Sequence, residues 1–297
     1  MDKVLIKQLL FHGSWLVLPF MAWLLWRLRR PGASRLLAGS LLTACVVFAW
    51  ARFAEPQMIQ VRQTTLADTG VKAQIALISD LHLGIYKDVD FLQRVVERVN
   101  HLAVDAVVIA GDFTYEPQDQ SLQALFAPLS KLHAPVYAVL GNHDQQAPGP
   151  DIDIALRDAL KALGVNLIEG RIVDDQAGYR WAGLGDRWAG KDDAGFLRAQ
   201  PSTGPTIVIA HNPDSAMQLA PADATIVLAG HTHGGQIRIP WLYRRVIPTV
   251  YGFDRGEQLA RTHRGDIRVF TTSGVGEIGL PLRLFNAPTI DVLRLQP

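Results

Sequence analysis

Five short polar clusters in this 297-residue chain each follow an apolar run. Asp80-Leu81-His82 follows AQIALIS, Gly111-Asp112 follows VDAVVIA, and Gly141-Asn142-His143-Asp144 follows PVYAVL. Farther on, His211-Asn212-Pro213 follows TIVIA, and Gly230-His231-Thr232-His233 follows TIVLA. On an extended backbone alternate residues point the same way, so Asp80 and His82 can meet one cation, and His231 and His233 can diverge slightly toward neighbouring ions. The Asp112 carboxylate suits a bridge between two cations, and Asn142 adds a neutral oxygen. With His211 the ligand set becomes Asp80, His82, Asp112, Asn142, His211, His231 and His233, too many groups for one tetrahedral zinc. It suits two divalent ions about 3.5–4 Å apart, with positions left for water and substrate. Oxygen and nitrogen donors admit Mn, Fe or Zn, four imidazoles disfavour Mg, and Mn is the first ion to assay.

Any one of these clusters is commonplace. Gly-Asp is a frequent turn, Asn-His-Asp a plausible helix cap, and a lone Asp-x-His a weak metal signal. Their combination is informative because in open α/β folds ligands gather at the carboxyl ends of strands. The glycines before Asp112, Asn142 and His231 permit sharp exits from those strands and close backbone approach.

The elements that must hold the clusters are strands alternating with helices. FLQRVVERVN carries an apolar helical stripe, with Asp88 and Asp90 as capping candidates, and ALRDALKALG ends at Gly164, which suits a left-handed cap. Later strands are expected at 165–169, 171–176, 179–184, QIRI (236–239), 267–272 and 289–295. The pattern predicts an α/β fold, a four-layer α-β-β-α sandwich of two mixed sheets, over residues 73–297. Residues 55–72, with Pro56 and no sustained period, read as a linker.

Residues 1–54 read as a membrane anchor of two helices. Val4 to Trp26 and Leu36 to Ala51 are apolar, and the connection RLRRPGASR carries Arg27, Arg29, Arg30 and Arg35. By the positive-inside tendency this loop is cytoplasmic, which places the remaining chain outside the inner membrane, in the periplasm or cell exterior. Residues 27–51 also imitate an export signal, but begin late for one. Over the whole chain charge is balanced, with 29 Lys+Arg against 28 Asp+Glu, so no nucleic-acid binding is indicated. The single cysteine, Cys45, excludes a thiolate metal cage.

DLH (80–82), GD (111–112), GNHD (141–144), the His of AHNPD (210–214) and GHTH (230–233) resemble the full signature of the calcineurin-like metallophosphoesterases. GHTHGGQIRIP (230–240) and SGVGEIGLPLRLFNAP (273–288) resemble its YaeI/YkuE-type bacterial phosphodiesterase branch, whose members often carry an N-terminal membrane segment. The resemblance implies that Asp80, His82, Asp112 and His233 hold one metal and that Asp112, Asn142, His211 and His231 hold the other. His143, paired with Asp144, would lie beside the scissile phosphate.

The expected activity is hydrolysis of a phosphodiester or lipid-linked phosphate by a metal-bound hydroxide. His143, the site histidine not needed as a ligand, would protonate the leaving oxygen or stabilise the transferring group, with Asp144 orienting its ring. A pyrophosphatase acting on a nucleotide-linked acylated sugar, of the UDP-2,3-diacylglucosamine type, would use the same centre but needs a cytoplasmic domain. A non-enzymatic scaffold is disfavoured by the intact ligand set. The segment 238–256, with Trp241, Tyr243, Tyr251, Arg244 and Arg245, reads as a surface loop whose aromatics pack on the sheet, in preference to a headgroup site.

Overall fold

In the computed structural model, which describes residues 3–32, 34–117, 121–145 and 152–297, the apolar runs are strands buried on both faces. In chain order the first seven are β1 (Gln60–Leu66), β2 (Ala73–Ile78), β3 (Leu83–Gly84), β4 (Ala106–Ala110), β5 (Thr114–Tyr115), β6 (Val136–Val139) and β7 (Val165–Leu167). The rest are β8 (Ile172–Asp174), β9 (Arg180–Gly183), β10 (Thr206–Ile209), β11 (Ile226–Ala229), β12 (Gly256–Thr262), β13 (Gly265–Thr271) and β14 (Thr289–Leu295). One sheet has the order β1-β14-β2-β4-β6-β7 and the other β12-β13-β11-β10-β9-β8. Their centres are parallel, and antiparallel pairs appear toward the edges, β14 on β2, β12 on β13 and β8 on β9.

Alternation along each strand sorts side chains between layers. Ile75 and Leu77 of β2 enter the core between the sheets with Ile207, Ile209, Ile226 and Leu228. Ala76 and Ile78 face the other way, onto the helical layer. The chain begins with α1 (Lys3–Gly13), α2 (Val17–Leu28) and α3 (Ser34–Ala49); the layer itself is built by α4 (Val89–Asn100), α5 (Leu122–Phe126) and α6 (Asp153–Ala162). Asp88 caps α4 by accepting from the Phe91 amide at 3.0 Å, and Phe91, Leu92, Val95, Val96 and Val99 form its buried stripe. Gly164, at φ +83°, follows α6 in the left-handed conformation. The outer face of the second sheet, including Val208 and Val227, is covered by α7 (Gly195–Ala199) and the 3-10 turn Pro213–Gln218. The mixed two-sheet sandwich is therefore present, with a thin outer helical layer.

Three segments differ from the sequence reading. Residues 55–72 are not wholly a linker, because β1 adds an edge strand parallel to β14. Most of β1 lies exposed or half-buried, so it lacks the apolar run that marks the inner strands. QIRI forms no strand: Gly235 and Gln236 both take positive φ, leaving one isolated bridge from Ile237 to Leu284. The strand β12, unforeseen, is the partly exposed half of a hairpin with β13.

At the N-terminus, Lys3–Leu28 and Ser34–Gln57 are helical stretches of 26 and 24 residues, long and apolar enough to cross a membrane. Pro19 lacks the N–H that would reach back to Trp15, and the helix tightens to a 3-10 turn at Ser14–Leu16. Both stretches meet the α/β domain. Lys7 pairs with Glu116 at 2.5 Å, and Phe11 stacks on Tyr86 at 5.4 Å. From the second, the Ala51 carbonyl accepts from the Arg283 amide at 2.9 Å, and Glu55 accepts from the Asn286 amide at 2.5 Å.

Trp181 fills the core between the sheets, fully buried and stacked on Tyr137 at 4.8 Å. Trp181→Ala should cost about 3–5 kcal/mol by cavity formation. Thermal unfolding of the whole chain in micelles, followed by near-ultraviolet circular dichroism, should show Tm lowered on the order of 10 °C.

Candidate metal centre

The strand ends bring all seven expected ligands together, every one of them buried. Asp80, His82 and His233 form one group whose ligand atoms lie within 4.8 Å of one another, and Asp112, His211 and His231 form a second. His231 and His233 thus serve different groups, as their spacing suggested. Asp112 faces both: its Oδ2 is 3.4 Å from His82 Nε2 and 3.2 Å from His211 Nε2. Asn142 joins the second group through Oδ1, 3.1 Å from His211 Nε2.

The local backbone is not the extended one expected. Asp80, His82, Asp112, His231 and His233 have φ of 52°, 47°, 53°, 69° and 50°. Each is a non-glycine residue in the left-handed region, at a cost of about 1–2 kcal/mol. The chain turns sharply as it leaves each strand, and this turn, rather than strand alternation, aims the paired side chains. Two glycines give room for it. A Cβ on Gly111, at φ +82°, would stand 2.6 Å from His211 Nδ1, and one on Gly141 would meet Asp112 Oδ1 and stand 2.5 Å from its amide.

The donor set fits cations. His82 Nδ1 lies 3.2 Å from the Thr114 carbonyl and His211 Nδ1 lies 2.8 Å from the Ala110 carbonyl. Each Nδ1 therefore carries the proton, and each Nε2 turns a lone pair inward. His82 Nε2 then faces His233 Nε2 at 3.0 Å, and His211 Nε2 faces the oxygens of Asp112 and Asn142. Asp80 Oδ1, His231 Nε2 and His233 Nδ1 are buried with no hydrogen-bond partner. Inward-facing lone pairs and unpartnered buried atoms are what a cation placed among them would satisfy.

Protonation partly plays that part. Burial opposes a charge on His211, but the Asp112 carboxylate outweighs it and pushes the imidazole up to about 10. Asp112 is itself raised by burial and drawn net well below the usual carboxylate range by His211 and His143. Burial pushes Asp80 up to about 7, brings His82 and His231 down to about 3, and holds His233 well below its ordinary value.

His143 sits beside these groups, its ring edge-on to His82 at 5.1 Å and to Tyr115 at 5.3 Å. The role expected for Asp144 is corrected. Its carboxylate accepts from the amides of Phe113 (3.0 Å), Thr114 (2.9 Å) and Gly141 (3.0 Å), and from the Thr114 hydroxyl (2.9 Å). The 3-10 turn Asn142–Asp144 folds this side chain back onto its own loop, so Asp144 braces the loops of Asp112 and Asn142 and does not orient the His143 ring.

Arg283 is also buried, where it donates to the carbonyls of Ser273, Gly276 and Asn286. Gly276 in turn donates to the Asp80 carbonyl at 2.6 Å, which makes Arg283 a brace behind the ligands. Two neighbours escaped the sequence reading. Asp186 is buried, accepts from the Ala189 amide at 2.7 Å and is raised by burial; Trp188 meets His231 edge-on at 4.5 Å. A signal for Asp186 exists, since Gly185-Asp186 follows the run WAGL just as Gly111-Asp112 follows its strand.

A two-sheet sandwich with paired His/Asp groups at its strand ends defines a metallophosphoesterase. The family model for calcineurin-like phosphoesterases matches residues 73–235, and the chain belongs to that family. It is 30% identical to the metallophosphoesterase YkuE of Bacillus subtilis over 88% of this chain and 93% of that one. It is 27% identical to the phosphodiesterase YaeI of Escherichia coli over 84% of this chain and 92% of the other. It is 26% identical to the UDP-2,3-diacylglucosamine pyrophosphatase LpxG of Chlamydia trachomatis over 71% of this chain and 80% of the other.

Gly141→Ala should displace Asp112 and with it the meeting point of the two groups. Elemental analysis of the purified chain should find less divalent metal retained, while far-ultraviolet circular dichroism is unchanged.

Proposed function

We propose that this chain is a membrane-anchored phosphodiesterase working through two divalent ions, Mn, Fe or Zn. Asp80, His82, Asp112 and His233 would hold one ion, and Asp112, Asn142, His211 and His231 the other. The observation that carries this reading is Asp112 Oδ2, placed within 3.4 Å of imidazoles from both groups. Bound there, the ions would supply an activated water and neutralise phosphate charge. The chain's own residues do the rest. Asp112 fixes the separation of the two sites, and Asn142 completes one without adding charge. The phosphate occupies a cavity of about 360 Å³ that Asp112, Asn142, His143, His231 and His233 line at one end.

Burial holds His143 below its ordinary pKa, against the pull of Asp112, and neighbouring dications would act in the same direction as burial. Its ring is neutral at neutral pH and offers one N–H to the transferring phosphoryl group, the second of the two roles considered.

The similarity to a UDP-2,3-diacylglucosamine pyrophosphatase supports a second reading with a nucleotide-linked lipid substrate. The four arginines between the two apolar helices support the first, because the positive-inside tendency would leave the domain outside the cytoplasm. A C-terminal alkaline phosphatase fusion should be active and a C-terminal green fluorescent protein fusion dark; the reverse result supports the pyrophosphatase.

Two substitutions test the residue roles with an aryl phosphodiester and Mn. Asp112→Asn should lose metal and activity together. His143→Ala should keep its metal and lower kcat by about 10²–10⁴-fold. Full two-metal occupancy with undiminished turnover in Asp112→Asn would remove the bridge assignment.

A further inference from the structure

The cavity that begins at the candidate metal groups does not stay polar. Away from them its walls are Ile237, Val246, Ile247, Pro248, Ile278 and Leu280. Among the described residues no charged side chain lines this part. Its long polar side chain, Gln236, is fully engaged: its amide nitrogen donates to the carbonyls of Ile278 and Leu280, and its oxygen accepts from the Ile278 amide. A base, ribose or sugar lying here would find few partners for its hydroxyls, and the desolvated groups would be costly. Hydrocarbon meets no such penalty.

The walls are held open from behind. Asp214, buried, accepts from the Thr249 hydroxyl at 2.6 Å and the Val250 amide at 2.7 Å, fixing one wall; Gln236 fixes the other. Of the aromatics of segment 238–256 expected to pack on the sheet, Tyr243 is buried with Arg238 over its ring, whereas Trp241, 70% exposed, and Tyr251 are not buried. Val246 and Leu280, both in the walls, are exposed as well, giving the mouth an apolar rim.

That rim adjoins both apolar helices. Tyr86, stacked on Phe11 of α1, donates through its hydroxyl to the Gly279 carbonyl at 2.6 Å. The Arg283 amide donates to the Ala51 carbonyl at the end of the second helical stretch. The wall segment 278–285 therefore lies between the groove and the two helices that would enter the bilayer.

We infer that this groove is an acyl-chain subsite, so that the substrate is an amphiphilic phosphodiester drawn from the same membrane, its phosphate at the metal groups and its hydrocarbon along Ile237, Ile247, Ile278 and Leu280. The inference rests on the phosphodiesterase reading for the phosphate end and on the groove for the hydrocarbon end.

The test uses the full chain in nanodiscs with Mn and a series of 4-nitrophenyl alkyl phosphates, methyl to dodecyl. In the unmodified chain kcat/KM should rise about two- to fourfold per added methylene over the first several carbons. In Ile247→Asp the rise should flatten, whereas Ile247→Val should retain it. Partitioning into the disc affects all three alike, so equal slopes in the unmodified chain and Ile247→Asp would overturn the subsite. An alkyl methyl phosphate bearing a terminal diazirine supplies a readout independent of turnover. Photolysis should label residues 237–248 and 278–280; adducts confined to residues 3–57 would overturn the inference. Absence of hydrolysis throughout the series, methyl ester included, would instead sink the phosphodiesterase reading while the labelling still decides the groove.

Discussion

Seven electron-pair donors buried within a few ångströms of one another repel unless positive charge lies among them, and the rest of the molecule is arranged around that constraint. His82 and His211 are locked by carbonyls so that their free nitrogens point inward, and the carboxylates of Asp80 and Asp112 are withdrawn from water. Such a centre cannot be held by side-chain rotamers on mobile loops. It needs a frame whose strand ends are fixed before any ion arrives.

The two-sheet sandwich supplies that frame because its central strands are covered on both faces. Five of the ligands then leave their strands through left-handed backbone, a conformation that neighbouring residues must compensate. Asp144 collects three amides from the Asp112 and Asn142 loops, and Arg283 gathers three carbonyls behind Asp80 and His233. Both are buried ionisable side chains spent on backbone groups, which explains why neither, so close to the centre, is a donor to it.

Most of this was legible in the sequence where burial writes continuous apolar runs: β2, β4, β6, β10 and β11, and the polar residues that end them. The edge strands β1 and β12 were not, since partial exposure lets polar residues occupy alternate positions and erases the run. The residues that converge are those the motifs single out, but extended-strand alternation is not what aims them. Spacing of two residues is compatible with extended chain and with a tight left-handed turn alike, and only the latter occurs at Asp80-x-His82 and His231-x-His233. The role of Asp144 was misread for a similar reason: adjacency to His143 in the chain says nothing about which way a carboxylate folds when three amides converge on it.

The contacts of Lys7 with Glu116 and of Phe11 with Tyr86 carry one more implication. A domain joined to its anchor by a slack leash would sample every orientation above a bilayer, and reactants would reach it from bulk solution. Here the first helix is clamped to the domain at its near end, and the second is clamped at its exit. If these helices lie in a membrane, the mouth of the groove is held at one height and one tilt. Encounters are then counted per unit area instead of per unit volume, and it is dilution by surrounding lipid, more than dilution by water, that governs how often a reactant arrives.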